Sequence, residues 1–243
     1  MSTASTGGVA SNTANGVGGV GANNAGTSTT NTSVTAGCKP WPAAKLVPFQ
    51  YAGLLFFETA AGPCRASIVD DSGTATHVFT YDSAGHLQNV SMQSSSGYMT
   101  ELKLTWDGDS PTSLTYSSDG TVFAIETYAY DSRAVVSTYR RLDGLRPGTQ
   151  QTAYVTTPEG YPTTMSFGSD PEGDGTYVIN GYGRYVYENC RILKSCPGKT
   201  AEELQTCQDF TVYAYDTAGR LTSKTADRGT GKYTETYEYD CVK

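Results

Sequence analysis

One phrase occurs twice in this chain, far apart. Residues 79–91 read FTYDSAGHLQNVS and residues 213–225 read YAYDTAGRLTSKT. A repeated phrase is a repeated structural unit, so it constrains the fold before any single residue does. In the first copy Asp82 stands at the first position of a turn and Gly85 at the fourth. That suits a type I turn followed by a left-handed glycine, the three-residue hairpin loop with a G1 bulge. The register follows: Asp82 and His86 close the loop, and Tyr81 faces Leu87. In the second copy Gly219 takes the left-handed position, Asp216 faces Arg220, and Tyr215 faces Leu221. Because side chains alternate along a strand, one face carries the Tyr–Leu pair and the other the Asp–Arg pair. The aromatic–aliphatic pair is worth roughly 0.2–1 kcal/mol over Ala–Ala. Each residue type thus has a structural task, and a proton-transfer reading of Tyr-Asp is disfavoured.

Echoes extend the pattern. Tyr128-Ala129-Tyr130-Asp131 is followed by Val136, with Ala134 where the glycine should stand, which predicts a different or strained turn. Leu104-Thr105-Trp106-Asp107 replaces Tyr with Trp, and Tyr237-Glu238-Tyr239-Asp240 begins a last copy. The aromatic residues at 81, 106 and 130 are spaced by 25 and 24 residues, as 215 and 239 are by 24. Two strands and two turns fit that period. Gly85, Gly97, Gly108 and Gly120 mark turns about every twelve residues, and alternating runs such as Tyr98–Leu104 lie between them. Such spacing predicts an all-β antiparallel meander of about twelve to fifteen strands. A sheet that long must curve strongly, close into a barrel or split into two layers. The one helix expected is Thr200–Gln205, where Thr200 and Glu203 have capping-box spacing. It lies in a Cys-rich insertion at about 190–207.

These motifs resemble the YD repeat of the RHS family, which also includes the teneurins. The resemblance covers about residues 76–240 and is specific at Tyr81–Leu87 and Tyr213–Leu221. It implies spiralling antiparallel sheets. In large members these form hollow shells that enclose a C-terminal toxin or face a partner outside the cell. With few repeats and no toxin-sized domain before Lys243, encapsulation is not expected here.

Residues 1–37 read as a low-complexity tether. From Ser2 to Gly37 the chain uses Gly, Ala, Ser, Thr, Asn and Val, without an aromatic or charged side chain. Such a segment cannot offset its ordering entropy by burial. Residues 38–243 then form a single all-β domain. The net charge is −7 and the Lys and Arg residues are scattered, which argues against nucleic acid and anionic membrane partners. The apolar run Leu54–Phe57 is too short to span a bilayer and reads as a buried strand or strand pair. Six cysteines, Cys38, Cys64, Cys190, Cys196, Cys207 and Cys241, favour disulfides and an oxidising compartment. Cys38 is paired with Cys64 because they flank the first ordered segment, and the other four remain open. Without CxxC or a nearby histidine, zinc is disfavoured. The tether resembles the spacer of bacterial lipoproteins, so a removed export signal and an N-terminal lipid anchor are expectations. Asn31 and Asn89 head glycosylation sequons that are bystanders in a bacterial chain.

Candidate chemistry is sparse. Asp170, Glu172 and Asp174 resemble the first half of a calcium loop, but Gly181 stands where its final Glu belongs. An acidic turn is the favoured alternative. His77 and His86 are the available neutral-pH bases. His86 is assigned as the cross-strand partner of Asp82, and His77 shares a face with Tyr81. No GxSxG, P-loop or dinucleotide fingerprint is present. The row Tyr128, Tyr130, Tyr213, Tyr215, Tyr237 and Tyr239 is either the core or a binding face, with core preferred. No catalytic residue and no cofactor are assigned. The expectation is an exported, non-catalytic envelope or surface protein, periplasmic, extracellular or anchored at the outer membrane. It would bind or support a protein, glycan or lipid partner. The alternatives are a carrier of a lipid or other hydrophobic ligand, and a hydrolase of envelope polymers.

Overall fold

The computed structural model describes residues 46–49, 53–56, 62–108, 110–130, 134–144, 148–200, 202–207, 210–227 and 231–241. The tether and Cys38 lie outside the described residues. Strands β1 (Leu46–Phe49) and β2 (Gly53–Phe56) pair antiparallel as a separate two-stranded sheet, as the apolar run suggested. Whether that run is buried lies outside the described residues.

Fourteen strands form a closed barrel: β3 (Arg65–Asp70), β4 (Gly73–Tyr81), β5 (Leu87–Ser94), β6 (Met99–Asp107), β7 (Ser110–Ser118), β8 (Thr121–Tyr130), β9 (Ala134–Arg141), β10 (Thr149–Thr156), β11 (Pro162–Asp170), β12 (Val178–Glu188), β13 (Arg191–Gly198), β14 (Phe210–Tyr215), β15 (Leu221–Asp227) and β16 (Lys232–Glu238). Among these strands, sequence neighbours pair antiparallel, and β16 closes the ring on β3. The predicted meander is therefore a closed barrel, which leaves no sheet edge to cap.

The repeated phrase folds as its residues dictate. Asp82 N–H donates to His86 O at 2.9 Å, and Gly85 N–H to Asp82 O at 3.0 Å, with Gly85 at φ 86°. Asp216, Gly219 and Arg220 repeat this at 2.9 and 3.0 Å, with Gly219 also at φ 86°. Tyr81 pairs with Leu87 and Tyr215 with Leu221. The same loop recurs where the Tyr-Asp signature is missing, at Ser94–Tyr98 and Thr157–Tyr161. There Ser94 Oγ and Thr157 Oγ1 accept the N–H of Tyr98 and Tyr161, as Asp82 Oδ1 and Asp216 Oδ1 accept those of His86 and Arg220. Any short side-chain acceptor can close this loop.

Several expectations are corrected. Tyr130 pairs with Val135, not Val136, because the connection from Tyr130 is shorter than in the complete copies. Cys64 bonds Cys241 rather than Cys38, because Cys64 precedes β3 and Cys241 follows β16, the two strands of the seam. The insertion is smaller than expected. Arg191–Gly198 is the barrel strand β13, and Cys196–Cys207 staples the short segment after it. That segment carries α1 (Glu203–Thr206), with Leu204 buried. Thr200 Oγ1 accepts Glu203 N–H, but the helix begins at Glu203 with Glu202 as its N-cap, and the Glu203 carboxylate accepts Lys199 N–H rather than that of Thr200, so the expected capping box does not form.

The core lies inside the barrel. Phe79, Leu87, Val90, Leu102, Leu104, Leu114, Tyr116, Tyr139, Tyr154, Tyr187, Tyr213 and Tyr237 form one buried cluster. Tyr128, Tyr130, Tyr215 and Tyr239 pack against it, so the tyrosine row belongs to the core.

Gly219→Val places a β-branched residue at positive φ, where its Cβ would meet the Arg191 guanidinium. It is expected to lower stability by roughly 1–3 kcal/mol. Urea denaturation checks this, and an unchanged midpoint contradicts the loop assignment.

Candidate functional site

Two constellations hold the chain's chemistry, one at a rim and one inside the barrel. The rim is the end where even-numbered strands finish and odd-numbered ones begin. There an aromatic residue at the end of β4, β6, β8, β12 and β16 reaches back to a backbone carbonyl at or just before the start of the preceding strand. Tyr81 OH donates to Pro63 O at 2.9 Å, Trp106 Nε1–H to Leu87 O at 2.8 Å and Tyr130 OH to Pro111 O at 2.7 Å. Tyr187 OH donates to Pro162 O at 2.6 Å and Tyr239 OH to Leu221 O at 3.0 Å. The acceptors sit where the register slips. Leu87, Pro111, Pro162 and Leu221 are each followed by a residue that the pairing skips: Gln88, Thr112, Thr163 and Thr222. A bulge disrupts the ladder locally and frees a carbonyl for the aromatic donor. Thr112, Thr163 and Thr222 turn their own hydroxyls onto carbonyls of the facing strand, at Thr105, Val155 and Ala214.

The residue after the left-handed glycine serves the next module. His86 stacks on Trp106 with centroids 4.7 Å apart, and the Arg220 guanidinium lies 4.7 Å from the centre of the Tyr239 ring. Arg191 covers Tyr215 in the same way. His86 Nδ1 lies 3.1 Å from Asp82 Oδ2, and Arg220 Nε donates to Asp216 Oδ2 at 2.8 Å. Hydrogen bonds to the carboxylate, from the His86 N–H first, hold Asp82 below the usual carboxylate range. The Arg220 side chain does so first for Asp216. Burial pushes the Tyr81 phenol up, and Tyr239 adds to this. A phenol held neutral and donating to a carbonyl is a fastener and not a proton relay.

The interior cluster was not read from the sequence. Lys224 on β15 and Glu235 on β16 stand directly opposite one another. Lys224 Nζ lies 3.1 Å from Glu235 Oε2, with side-chain exposures of 5% and 0%. Tyr233 OH donates to the same carboxylate oxygen at 2.7 Å. Burial pushes the Glu235 carboxyl up, but the Lys224 charge with the Tyr233 and Tyr237 hydroxyls outweighs it and holds the group below its usual range. His77 on β4 is buried nearby. Burial lowers its pKa, Glu235 opposes that and Lys224 adds to it. Tyr213, also facing inward, is pushed up to about 12, mainly by burial. A second buried carboxylate, Glu126, accepts from Tyr116 OH at 2.7 Å. Sequence alternation places Glu235 on the face of Tyr237 and Tyr239. Lys224 is harder to place, because the skipped Thr222 reverses the alternation along β15.

The calcium candidate does not assemble. Asp170 turns both carboxylate oxygens onto the backbone N–H groups of its own loop, at Gly173, Asp174 and Gly175. Asp174 accepts Thr176 N–H. Among the described residues no three His, Cys, Asp or Glu side chains are grouped to hold a metal ion. Cys64, Cys190, Cys196, Cys207 and Cys241 are all disulfide-bonded.

No family model matches this chain, and no curated protein matches it. Among solved structures it is similar to a porin-like protein from Bacteroides uniformis ATCC 8492. The TM-score is 0.41 and the identity 14%, over 73% of this chain and 96% of that one.

Two outcomes test these assignments. Tyr130→Phe removes the donor to Pro111 and is expected to cost about 0.5–1.5 kcal/mol. Lys224→Met strands the buried Glu235 charge and should cost roughly 3–5 kcal/mol, much of it recovered in Lys224→Met/Glu235→Leu. Chemical denaturation of the four proteins in that cycle reads the coupling, and simple additivity contradicts the ion pair.

Proposed function

We propose that this is an exported, non-catalytic protein of the cell envelope or cell surface, a barrel of degenerate YD-type hairpins that acts as a binding or structural module. The observation that carries this reading is the use made of the inward-facing side chains. They form one buried cluster, fasten the hairpins and pair the buried Lys224 with Glu235. A partner is therefore offered the outer wall and the rims.

The hydrolase alternative needs a carboxyl group raised toward neutrality to act as an acid. Glu235 is displaced the other way by Lys224. The carrier alternative needs an apolar lumen, and the tyrosines Tyr116, Tyr139, Tyr154, Tyr187 and Tyr213 are buried there instead. The disulfides support export, since such bonds persist in oxidising compartments. Among the described residues no helix is long and apolar enough to cross a membrane. The outer wall is mixed: on β6 the exposed Glu101, Lys103 and Asp107 alternate with inward Leu102 and Leu104, whereas Val78, Val122, Val155, Phe167 and Val212 are exposed on other strands. We infer membrane attachment through the N-terminal segment, as a lipid anchor.

Alkylation of the protein taken from its native cells tests export. Without reductant no cysteine should be modified, and after reduction all six should be. Extensive labelling before reduction would remove the exported reading. Glycan-array and lipid-extraction assays then separate glycan and lipid partners from a protein partner or scaffold role.

A further inference from the structure

The two ends of the barrel treat their apolar side chains differently. At the hairpin rim Trp106, Tyr130, Tyr187 and Tyr239 donate to backbone carbonyls, and His86 and Arg220 cover Trp106 and Tyr239. The far rim, where odd-numbered strands finish and even-numbered ones begin, carries seven connections. Six of them present a large apolar side chain to solvent at or beside a strand end: Val69, Tyr98, Val122, Leu142, Val178 and Phe210, with exposures from 40% to 58%. Single exposed apolar residues are ordinary, but one on almost every connection of a single rim forms a ring. Successive connections lie two strands, roughly 10 Å, apart. Tyr98 shows the contrast most directly. It follows the left-handed Gly97 in the same loop type that places His86 and Arg220, yet its ring stacks on nothing among the described residues. The ring is also held in place by its loops. Asp70 Oδ1 accepts the N–H groups of Ser72 and Gly73, and Asp170 accepts those of Gly173, Asp174 and Gly175. Asp119 and Gly120 turn β7 into β8 at φ 49° and 75°. A surface ordered in this way gives up little conformational freedom on binding.

The same connections are acidic. Residues 70–73, 94–99, 118–121, 141–149, 170–178, 198–210 and 227–232 hold eleven Asp and Glu against five Lys and Arg, a net of −6 in a chain of net −7. Asp71, Asp119, Glu172, Asp174, Glu202 and Glu203 are exposed there, and none forms an ion pair among the described residues. At the hairpin rim, by contrast, Asp82 is matched by His86, and Asp216 and Asp240 by Arg220. We propose that the far rim is a docking ring for a basic amphipathic polypeptide, one that presents Lys or Arg beside apolar side chains. This deepens the surface-module reading and rests on it, naming the end of the barrel and the chemistry of the partner. The apolar ring supplies burial, and the unpaired carboxylates around it supply charge complementarity and steering. A nucleic acid or an anionic membrane carries the same charge as the rim and is repelled. A neutral bilayer would accept the apolar side chains only by desolvating the carboxylates between them.

Fluorescence anisotropy of the full chain with a labelled peptide of alternating Leu and Lys tests the ring. Binding should weaken steeply as salt rises from about 0.05 to about 0.5 M, because the charges are exposed. Tyr98→Ser/Val122→Thr/Val178→Thr should weaken it about tenfold or more, and so should Asp71→Asn/Asp119→Asn/Glu172→Gln. Val78→Thr and Val155→Thr, exposed elsewhere on the barrel, should leave it unchanged. Hydrogen exchange of the unsubstituted protein gives a readout free of any folding defect: the peptide should protect the far-rim connections and not the hairpin rim. Absence of binding, equal binding by both triple variants, protection of the hairpin rim instead, or capture by phosphatidylcholine vesicles in preference to the peptide overturns the proposal. Those outcomes leave the surface-module reading in place, because export is read independently by cysteine alkylation.

Discussion

The barrel depends on an aromatic side chain that borrows a carbonyl. Each bulge at the hairpin rim takes a backbone carbonyl out of the ladder, and a buried carbonyl left unpaired costs about 1–3 kcal/mol. An aromatic residue on the following strand or just beyond it supplies the missing donor at four bulges, from Trp106, Tyr130, Tyr187 and Tyr239. The arrangement links one module to the next. Tyr81 pairs with Leu87, whose carbonyl accepts from Trp106. Trp106 pairs with Pro111, whose carbonyl accepts from Tyr130. Tyrosine and tryptophan fit because each joins an apolar body, suited to the interior, to a polar tip that reaches the rim. This also explains why Trp can replace Tyr at position 106, since both carry a donor.

The same bulges decide what lies inside. A skipped residue shifts the alternation by one, so the side chains beyond it change sides. Along β15, Leu221 faces inward, Thr222 is skipped, and Lys224 and Ala226 are buried. Without the slip Lys224 would point outward and Glu235 would be an isolated buried charge. The ion pair and the rim fasteners are thus two consequences of one local irregularity. A buried ion pair seldom adds much net stability compared with apolar residues of similar size.

Much of the fold was legible because the repeated phrase fixes a loop whose geometry is local. Asp82, Gly85, Asp216 and Gly219 form the expected turns, and the faces assigned to Tyr81, Leu87 and His77 hold. Gly97 and Gly160 mark turns in the sequence, but the loop type at Ser94 and Thr157 is not legible from Tyr-Asp, because the physical requirement is a side-chain acceptor followed by a left-handed glycine. The interior cluster was illegible for a different reason. Its members are 147 residues apart in the case of His77 and Lys224, and register along β15 depends on a bulge that periodicity does not reveal. The cysteines failed for a third reason. Proximity in sequence suggested Cys38–Cys64, whereas barrel closure brings the first and last barrel strands together and places Cys64 beside Cys241.

That closure ties the fold to its surroundings. A meander gains each successive strand at the cost of a short loop, but the last pairing must close a segment of 177 residues. In the chain-entropy model a crosslink across such a segment is worth roughly 5 kcal/mol, comparable to the whole stability of many domains. The five-pair ladder of β16 and β3 gains that help only where the Cys64–Cys241 bond persists. In a reducing compartment the seam would rest on the ladder alone, with β3 and β16 open to pairing with other chains. The Cys64–Cys241 bond thus supports the barrel's closure where it persists, which favours an oxidising environment for this fold.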